Sequence, residues 1–344
     1  DRDYRDTDDT RIALWVSRAY GLEYSSAAVS ETVSLIGEEN KRNPLIEWLD
    51  SIIWDGTPRL SSWIVEATDC DDTELNRTMA EKWLIQAIAR AYQPGCKADC
   101  VLILAGDQGA GKSTLFRTLA TEEYFADTPL DIGSANSYSQ IARAWIYEVA
   151  ELDSVRRSAN SATKAFLSAQ EDNFRPAYGR HAITIKRHVV FAGTTNESQF
   201  INDMTGSRRY WPIRVNEVNL HWVRENRDQL WAEAIEAYKA GETWYLDKDM
   251  DLKRHDSSKI YRQDDPWLDP ISNFLMVQHG YVTMTMVMED GLKIERGRMN
   301  RRDEMRISEI LRELEYKKKR MTLGGKRKYV WVKNEVIKVQ SKEA

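Results

Sequence analysis

The run Gly106-Asp107-Gln108-Gly109-Ala110-Gly111-Lys112-Ser113-Thr114 has the spacing of a phosphate-binding loop. Its glycines let the backbone wrap N–H groups around a phosphate. Lys112 reaches toward the β- and γ-phosphates, and the Ser113 hydroxyl ligates Mg²⁺. The apolar run VLILA before the loop predicts a strand. STLFRTLA after it predicts a helix whose positive N-terminal end faces the phosphates. These residues point to a nucleoside triphosphate, with ATP and Mg²⁺ as the expected ligands.

Cleaving that triphosphate needs an acidic strand, and ARAWIYEVAELD supplies one. Glu148 sits inside an apolar run, where an unpaired carboxylate is costly. Glu151 follows near the strand end. One carboxylate positions the metal and the other polarises the attacking water. Glu148 is favoured for the metal and Glu151 for the water, with the reverse assignment open. A third strand, HVVFAGTT, ends in Asn196, whose amide can hold the water or sense the nucleotide. In Gly206-Ser207-Arg208-Arg209-Tyr210-Trp211-Pro212, either arginine is a candidate to stabilise charge on the γ-phosphate. Such an arginine often comes from a neighbouring subunit, which requires an oligomer, and a ring is the geometry that closes.

Elements must hold these groups in place. Residues 1–100 read as helical, in RIALWVSRAYG, NPLIEWLDSIIW and a long stretch from Thr73 to Tyr92, with a break at Asp55-Gly56-Thr57-Pro58. From Val101 short apolar runs alternate with helical patterns, which implies a parallel sheet covered by helices. Residues 246–259 read as a polar linker. Beyond Pro266 come a helix at Ile271–Gln278, an amphipathic helix at Glu304–Leu314 and a hairpin about Gly324-Gly325, together a small winged-helix unit. The expected domains are 1–95 (helical), 96–245 (ATP-binding α/β), 246–265 (linker) and 266–344 (basic winged helix).

Composition narrows the class. The 344 residues are 42% hydrophobic and 30% charged, as in a globular protein, and no run approaches a membrane span. The opening DRDYRDTDD is no signal peptide and lacks an initiator Met, so the sequence reads as a piece of a longer chain. Three cysteines exclude a disulfide scaffold and suggest a reducing compartment; Cys96-x3-Cys100 lacks a second ligand pair for zinc. From Lys293 onward 17 Lys+Arg stand against 8 Asp+Glu, a net +9, leaving −14 on the preceding residues. A basic tail on an acidic body suits an anionic partner such as nucleic acid.

The segments NPLIEWLDSIIWDGTPRL, GDQGAGKST, WIYEVAELD, KAFLS, RPAYGR, FAGTTNE and GSRRYWP resemble the virulence-associated protein E family over roughly residues 43–215. That family comprises P-loop ATPases of phages and mobile elements, similar to superfamily 3 helicases and primase-helicases in the AAA+ group. The resemblance implies an AAA+-like α/β fold with a collar-like helical domain before it. It implies a hexameric ATPase in the bacterial host cytoplasm that translocates on single-stranded DNA during replication, with a primase domain or protein as partner. By position, Lys112 and Ser113 carry over as P-loop residues, Glu148 and Glu151 as the acidic pair, Asn196 as sensor, and Arg208 and Arg209 as the finger pair. The Glu-x-x-Glu spacing departs from the adjacent Asp-Glu of most AAA+ proteins.

Helicases of this type place a hairpin in the pore between the acidic and sensor strands. Here that interval carries Arg175, Arg180, His181, Lys186 and Arg187, with Tyr178-Gly179 as the expected turn. Arg180, His181, Lys186 and Arg187 are the candidate DNA contacts; Arg175 suits a structural or intersubunit role. Phosphate contacts from such residues are blind to sequence, as a translocating motor needs. Lys326, Arg327 and Lys328 on the wing are further DNA candidates. Most of the twelve tryptophans lie at helical spacing among Leu and Ile and read as core. The alternative reading is an ATP-gated DNA-binding initiator, or a phage-interference module, with little unwinding.

Overall fold

The computed structural model describes residues 4–150, 160–175, 181–201, 207–261 and 265–333. In chain order its main elements are α1 (Asp6–Tyr20), α2 (Ser26–Glu39), α3 (Pro44–Ser51), α4 (Trp63–Thr68), α5 (Glu74–Tyr92), β1 (Val101–Ala105), α6 (Lys112–Ala120), β2 (Phe125–Ala126), α7 (Ala135–Ile141), β3 (Ile146–Ala150), α8 (Asn160–Ser168), β4 (Glu171–Phe174), β5 (Ile183–Lys186), β6 (Val190–Thr195), β7 (Tyr210–Arg214), α9 (Leu220–Lys239) and α10 (Lys248–Ser257). After them come α11 (Leu268–Met276), β8 (Tyr281–Val282), α12 (Met284–Met286), α13 (Arg301–Glu313), β9 (Tyr316–Leu323) and β10 (Lys326–Lys333).

All five side chains of β1 are buried, and they divide between two cores. Leu102 and Leu104 meet α3 to α6 and α9; Val101, Ile103 and Ala105 meet Ile141, Phe166 and Phe200 on the other face. A strand covered on both faces reads as an unbroken apolar run, which is why VLILA carries no polar residue. The sheet is parallel throughout, in the order β2-β3-β6-β1-β7. Parallel strands bring the ends of β6, β1 and β7 to one edge, with Ala105 opposite both Thr195 and Arg214.

Two indole bonds tie α5 to the sheet, and a third ties α9 to α6. Trp83 donates to the Phe191 carbonyl, Trp145 to that of Ala87 and Trp231 to that of Leu119, each at 2.9 Å. Each side chain is fully buried, so losing one such bond would cost about 1–3 kcal/mol. Residues 45–91 therefore share one core with the sheet, and the domain boundary expected at 95 falls inside it. Helix α5 is buried nearly all round rather than along a stripe.

The expected linker is also corrected. Residues 248–257 form α10, capped by the Asp247 side chain on Met250 N at 2.8 Å. Arg254 is buried, and Lys253 pairs with Glu74 at 2.6 Å. A short 3₁₀ turn follows, and its Tyr261 carbonyl accepts from Phe200 N and Ile201 N.

The C-terminal unit has its own core of Ile271, Val287, Ile307, Leu311 and Trp331. Its antiparallel sheet runs β8-β10-β9, with pairing from Lys326↔Leu323 to Lys333↔Tyr316. Gly324 and Gly325 both take positive φ, as a two-residue hairpin turn requires. No helix among the described residues is long and apolar enough to cross a membrane.

Candidate active site

At the edge where β1 ends, Gly106 begins the loop under a steric limit. A Cβ at that position would stand 2.2 Å from the Val215 carbonyl oxygen, so only glycine fits. Gly109 and Gly111 hold φ of 85° and 88°, the left-handed region that favours glycine. The Val218 N–H donates to the Ala110 carbonyl at 3.0 Å and pins the loop from the β7 side. Gly111 is the N-cap of α6 and offers no side chain, so the first-turn N–H groups stay open toward an anion.

Lys112 is buried, and its ammonium donates to the carbonyls of Gly106 (2.8 Å) and Asp107 (2.6 Å) and to Asn196 Oδ1 (2.9 Å). Burial pulls its pKa down from the usual lysine value, against the nearby charges of Asp107 and Glu148. Asn196 stands just beyond β6, and the parallel register carries it to the loop. Gln108, Ser113 and Thr114 are exposed.

Glu148 lies mid-strand on β3. Ile146 faces the core containing α6, so Glu148, two residues on, points the same way. It is 1% exposed. Its Oε1 accepts from the Ser113 hydroxyl at 2.6 Å and from the Thr194 hydroxyl on the neighbouring strand. Its Oε2 is buried and has no hydrogen-bond partner among the described residues. Desolvation raises the carboxyl pKa, and the two hydroxyl donors oppose that rise. A buried acceptor left open beside a serine hydroxyl suits a hard cation with oxygen ligands, so Ser113 and Glu148 fit Mg²⁺. The sequence reading missed Thr194. A threonine in a strand reads as a β-former, and only the pairing of β3 with β6 brings it to the carboxylate. Glu151 lies outside the described residues.

The arginine pair sits at the other end of the sheet. Tyr210 pairs with Val101 and Arg214 with Ala105, so Arg208 and Arg209 precede β7 at the edge away from Gly106. Five residues of strand, about 13 Å, separate the two edges. Arg209 is committed within its own chain: its Nε donates to Ser168 Oγ at 2.9 Å and lies 3.4 Å from Asp99. Arg208 is exposed. Of the expected finger pair, only Arg208 is thus presented outward.

Strands β4 and β5 pair as an antiparallel hairpin, from Glu171↔Lys186 to Phe174↔Ile183. His181 and Lys186 are exposed on it. Arg180 and the turn at Tyr178-Gly179 lie outside the described residues. The expectation that Arg187 contacts DNA is overturned. It is 3% exposed, gripped by Asp172 through two bonds of 2.6 Å, and its guanidinium stacks over Phe166 at 4.5 Å. Reaching a phosphate would strand the buried Asp172. Beneath it Arg90, also buried, donates to the Arg187 carbonyl at 3.0 Å; burial lowers its pKa to about 10. Arg327 and Lys328 are exposed on β10, with Lys326 opening the strand.

The description of a virulence-associated protein E-like domain matches residues 49–263. None of the curated proteins compared with the chain matches it. Among solved structures, the apo structure of the NrS-1 C-terminal region (305–718) aligns with a TM-score of 0.48 at 15% identity, over 86% of this chain and 79% of that one. An A form of that region aligns with a TM-score of 0.43 at 16% identity and the same coverage.

Proposed function

Because the chain belongs to the virulence-associated protein E-like family, we propose that it is an ATP-driven DNA motor of a phage or mobile element, working as a ring in the bacterial cytoplasm. The fold on this reading is an AAA+-like P-loop ATPase followed by a winged helix. The observation that carries the reading is the joint constellation of Lys112, Ser113, Asn196 and Glu148 at one sheet edge. Gly106 to Thr114 cradle the phosphates with backbone N–H groups and the α6 N-terminus. Lys112 exchanges its carbonyl partners for phosphate oxygens. Ser113 and Glu148 hold Mg²⁺, which when bound neutralises charge on the β- and γ-phosphates. Thr194 holds Glu148 Oε1 beside the Ser113 hydroxyl. Asn196, already bonded to Lys112, reports the state of the γ-phosphate. Glu151 orients the attacking water.

Arg208 completes the site of a neighbouring copy, a role supported by its position at the opposite sheet edge from its own loop. A residue that must act in trans makes activity depend on assembly, and six copies in a ring are the proposed form. His181 and Lys186, with Arg180, are proposed to meet single-stranded DNA, and a primase activity is the proposed companion.

The test is steady-state ATP hydrolysis with and without single-stranded DNA, at several protein concentrations, with Lys112→Ala as blank. Stimulation by DNA and a cooperative concentration dependence support the motor. Turnover indifferent to DNA, with tight sequence-selective duplex binding, would favour an ATP-gated initiator or interference module.

A further inference from the structure

A groove of about 450 Å³ runs between the outer face of α13 and the β9–β10 hairpin. Trp331, 2% exposed, forms its base; Tyr329, further out on the same strand, keeps 58% of its surface open. Met305, also 58% exposed, stands across from it on α13. The register explains the grouping. Tyr329 pairs with Arg320 and Trp331 with Lys318, so all four side chains share one face of the hairpin. Lys318 Nζ lies 4.7 Å from the Tyr329 ring centre and the Arg320 guanidinium 5.5 Å from it.

Charge decides what such a groove can take. From residue 316 to 333 the chain has eight Lys and Arg and no Asp or Glu. The helix side brings Glu304 and Glu309 together with Arg301 and Arg312, so its charges balance. A polyanion is thus drawn to the groove by the hairpin's excess of Lys and Arg. Lys318 and Arg320 lie over the Tyr329 ring, which still keeps 58% of its surface open, so a base that stacks there displaces a cation from the ring toward the strand's phosphates. A duplex offers phosphates but keeps its base faces covered.

We propose that this groove is a stacking site for single-stranded nucleic acid, with Tyr329 as the platform and Lys318 and Arg320 as the phosphate contacts. It rests on the reading of the chain as one that handles DNA, and it is distinct from the hairpin tip at Lys326–Lys328.

The experiment uses the full chain without nucleotide, titrated with a fluorescent oligothymidylate and with the same strand carrying abasic sites. Tyr329→Ala should bind the oligothymidylate about tenfold more weakly, the size of one lost stack. Tyr329→Phe should bind as wild type does, and all variants should melt at the same temperature. The abasic strand should not distinguish Tyr329→Ala from wild type. The salt dependence should survive Tyr329→Ala and flatten in the Lys318→Gln/Arg320→Gln double variant. A bromouracil-substituted strand should crosslink within residues 316–333. Wild-type affinity in Tyr329→Ala, or equal sensitivity of the abasic strand, overturns the proposal. So does a polyglutamate peptide that binds in a Tyr329-dependent way where the oligonucleotide does not, since the occupant would then be a protein. Absence of ATP hydrolysis in the wild type would sink the motor reading and leave this binding comparison intact.

Discussion

Lys112 Nζ donates to Asn196 Oδ1 at 2.9 Å, spanning the gap between the loop after β1 and the end of β6. The lysine is thereby held over the loop carbonyls of Gly106 and Asp107, which a phosphate would displace on the proposed reading. Asn196→Ala should leave nucleotide affinity within about threefold of wild type while lowering kcat about a hundredfold, the usual cost of removing one aligned polar group. Fluorescent-nucleotide titration beside steady-state turnover checks it. A matched loss in both would mean that Asn196 only supports the loop.

Arg208 and Arg209 should separate cleanly. Arg208→Ala should lower turnover at least a thousandfold without changing the melting temperature, as removal of an arginine finger does. Mixing it with the equally inactive Lys112→Ala should restore part of the activity, because each copy supplies what the other lacks. Arg209→Ala should instead lower the melting temperature, since it frees Asp99 and Ser168, both beside the hairpin root. No recovery on mixing would rule out action in trans.

Asp172→Ala should destabilise the fold by about 3–5 kcal/mol, because it leaves the buried Arg187 charge uncompensated. An Asp172→Leu/Arg187→Met double variant should recover much of that loss. Urea unfolding measures both, and equal damage in single and double variants would show that packing, not charge, is at stake.

Glu148 should make stability depend on pH. Its carboxyl is raised above its ordinary value of 4.5, so the folded state binds the proton more tightly than the unfolded chain. Stability therefore falls as pH rises from that ordinary value through the raised one, and the penalty is complete above both. Glu148→Gln keeps an oxygen for the Ser113 and Thr194 hydroxyls but does not titrate. Its melting temperature should exceed that of wild type by a margin that grows with pH from about 4.5 and then levels. Its hydrolysis should be abolished. A constant margin at every pH would remove Glu148 as the source.

Local chemistry was legible in the sequence wherever a short run dictates its own conformation. The loop from Gly106 to Ser113 and the turn at Gly324-Gly325 are of this kind, because each needs glycine at fixed offsets. Relationships between distant residues were not. Arg187 looks basic and available until Asp172, fifteen positions away, is paired across the hairpin. Thr194 gains meaning only from the register of β3 with β6. The charged run that reads as a linker folds because Asp247 caps it and Arg254 finds a buried place. Helix α5 hid its place in the sheet's core because burial on every side leaves no polar stripe to mark a face.

The indole bonds of Trp83 and Trp145 and the shared core of residues 45–91 bear on how the chain can be divided. A fragment beginning at residue 96 would lay bare the sheet face formed by Leu102, Leu104, Trp145, Val190 and Ala192. A bare apolar face of that kind favours aggregation over solubility. A cut near residue 43, in the turn between α2 and α3, severs none of these ties. The smallest piece of this protein able to stand alone in solution is therefore set by Trp83 and Trp145 rather than by the ends of the nucleotide motif.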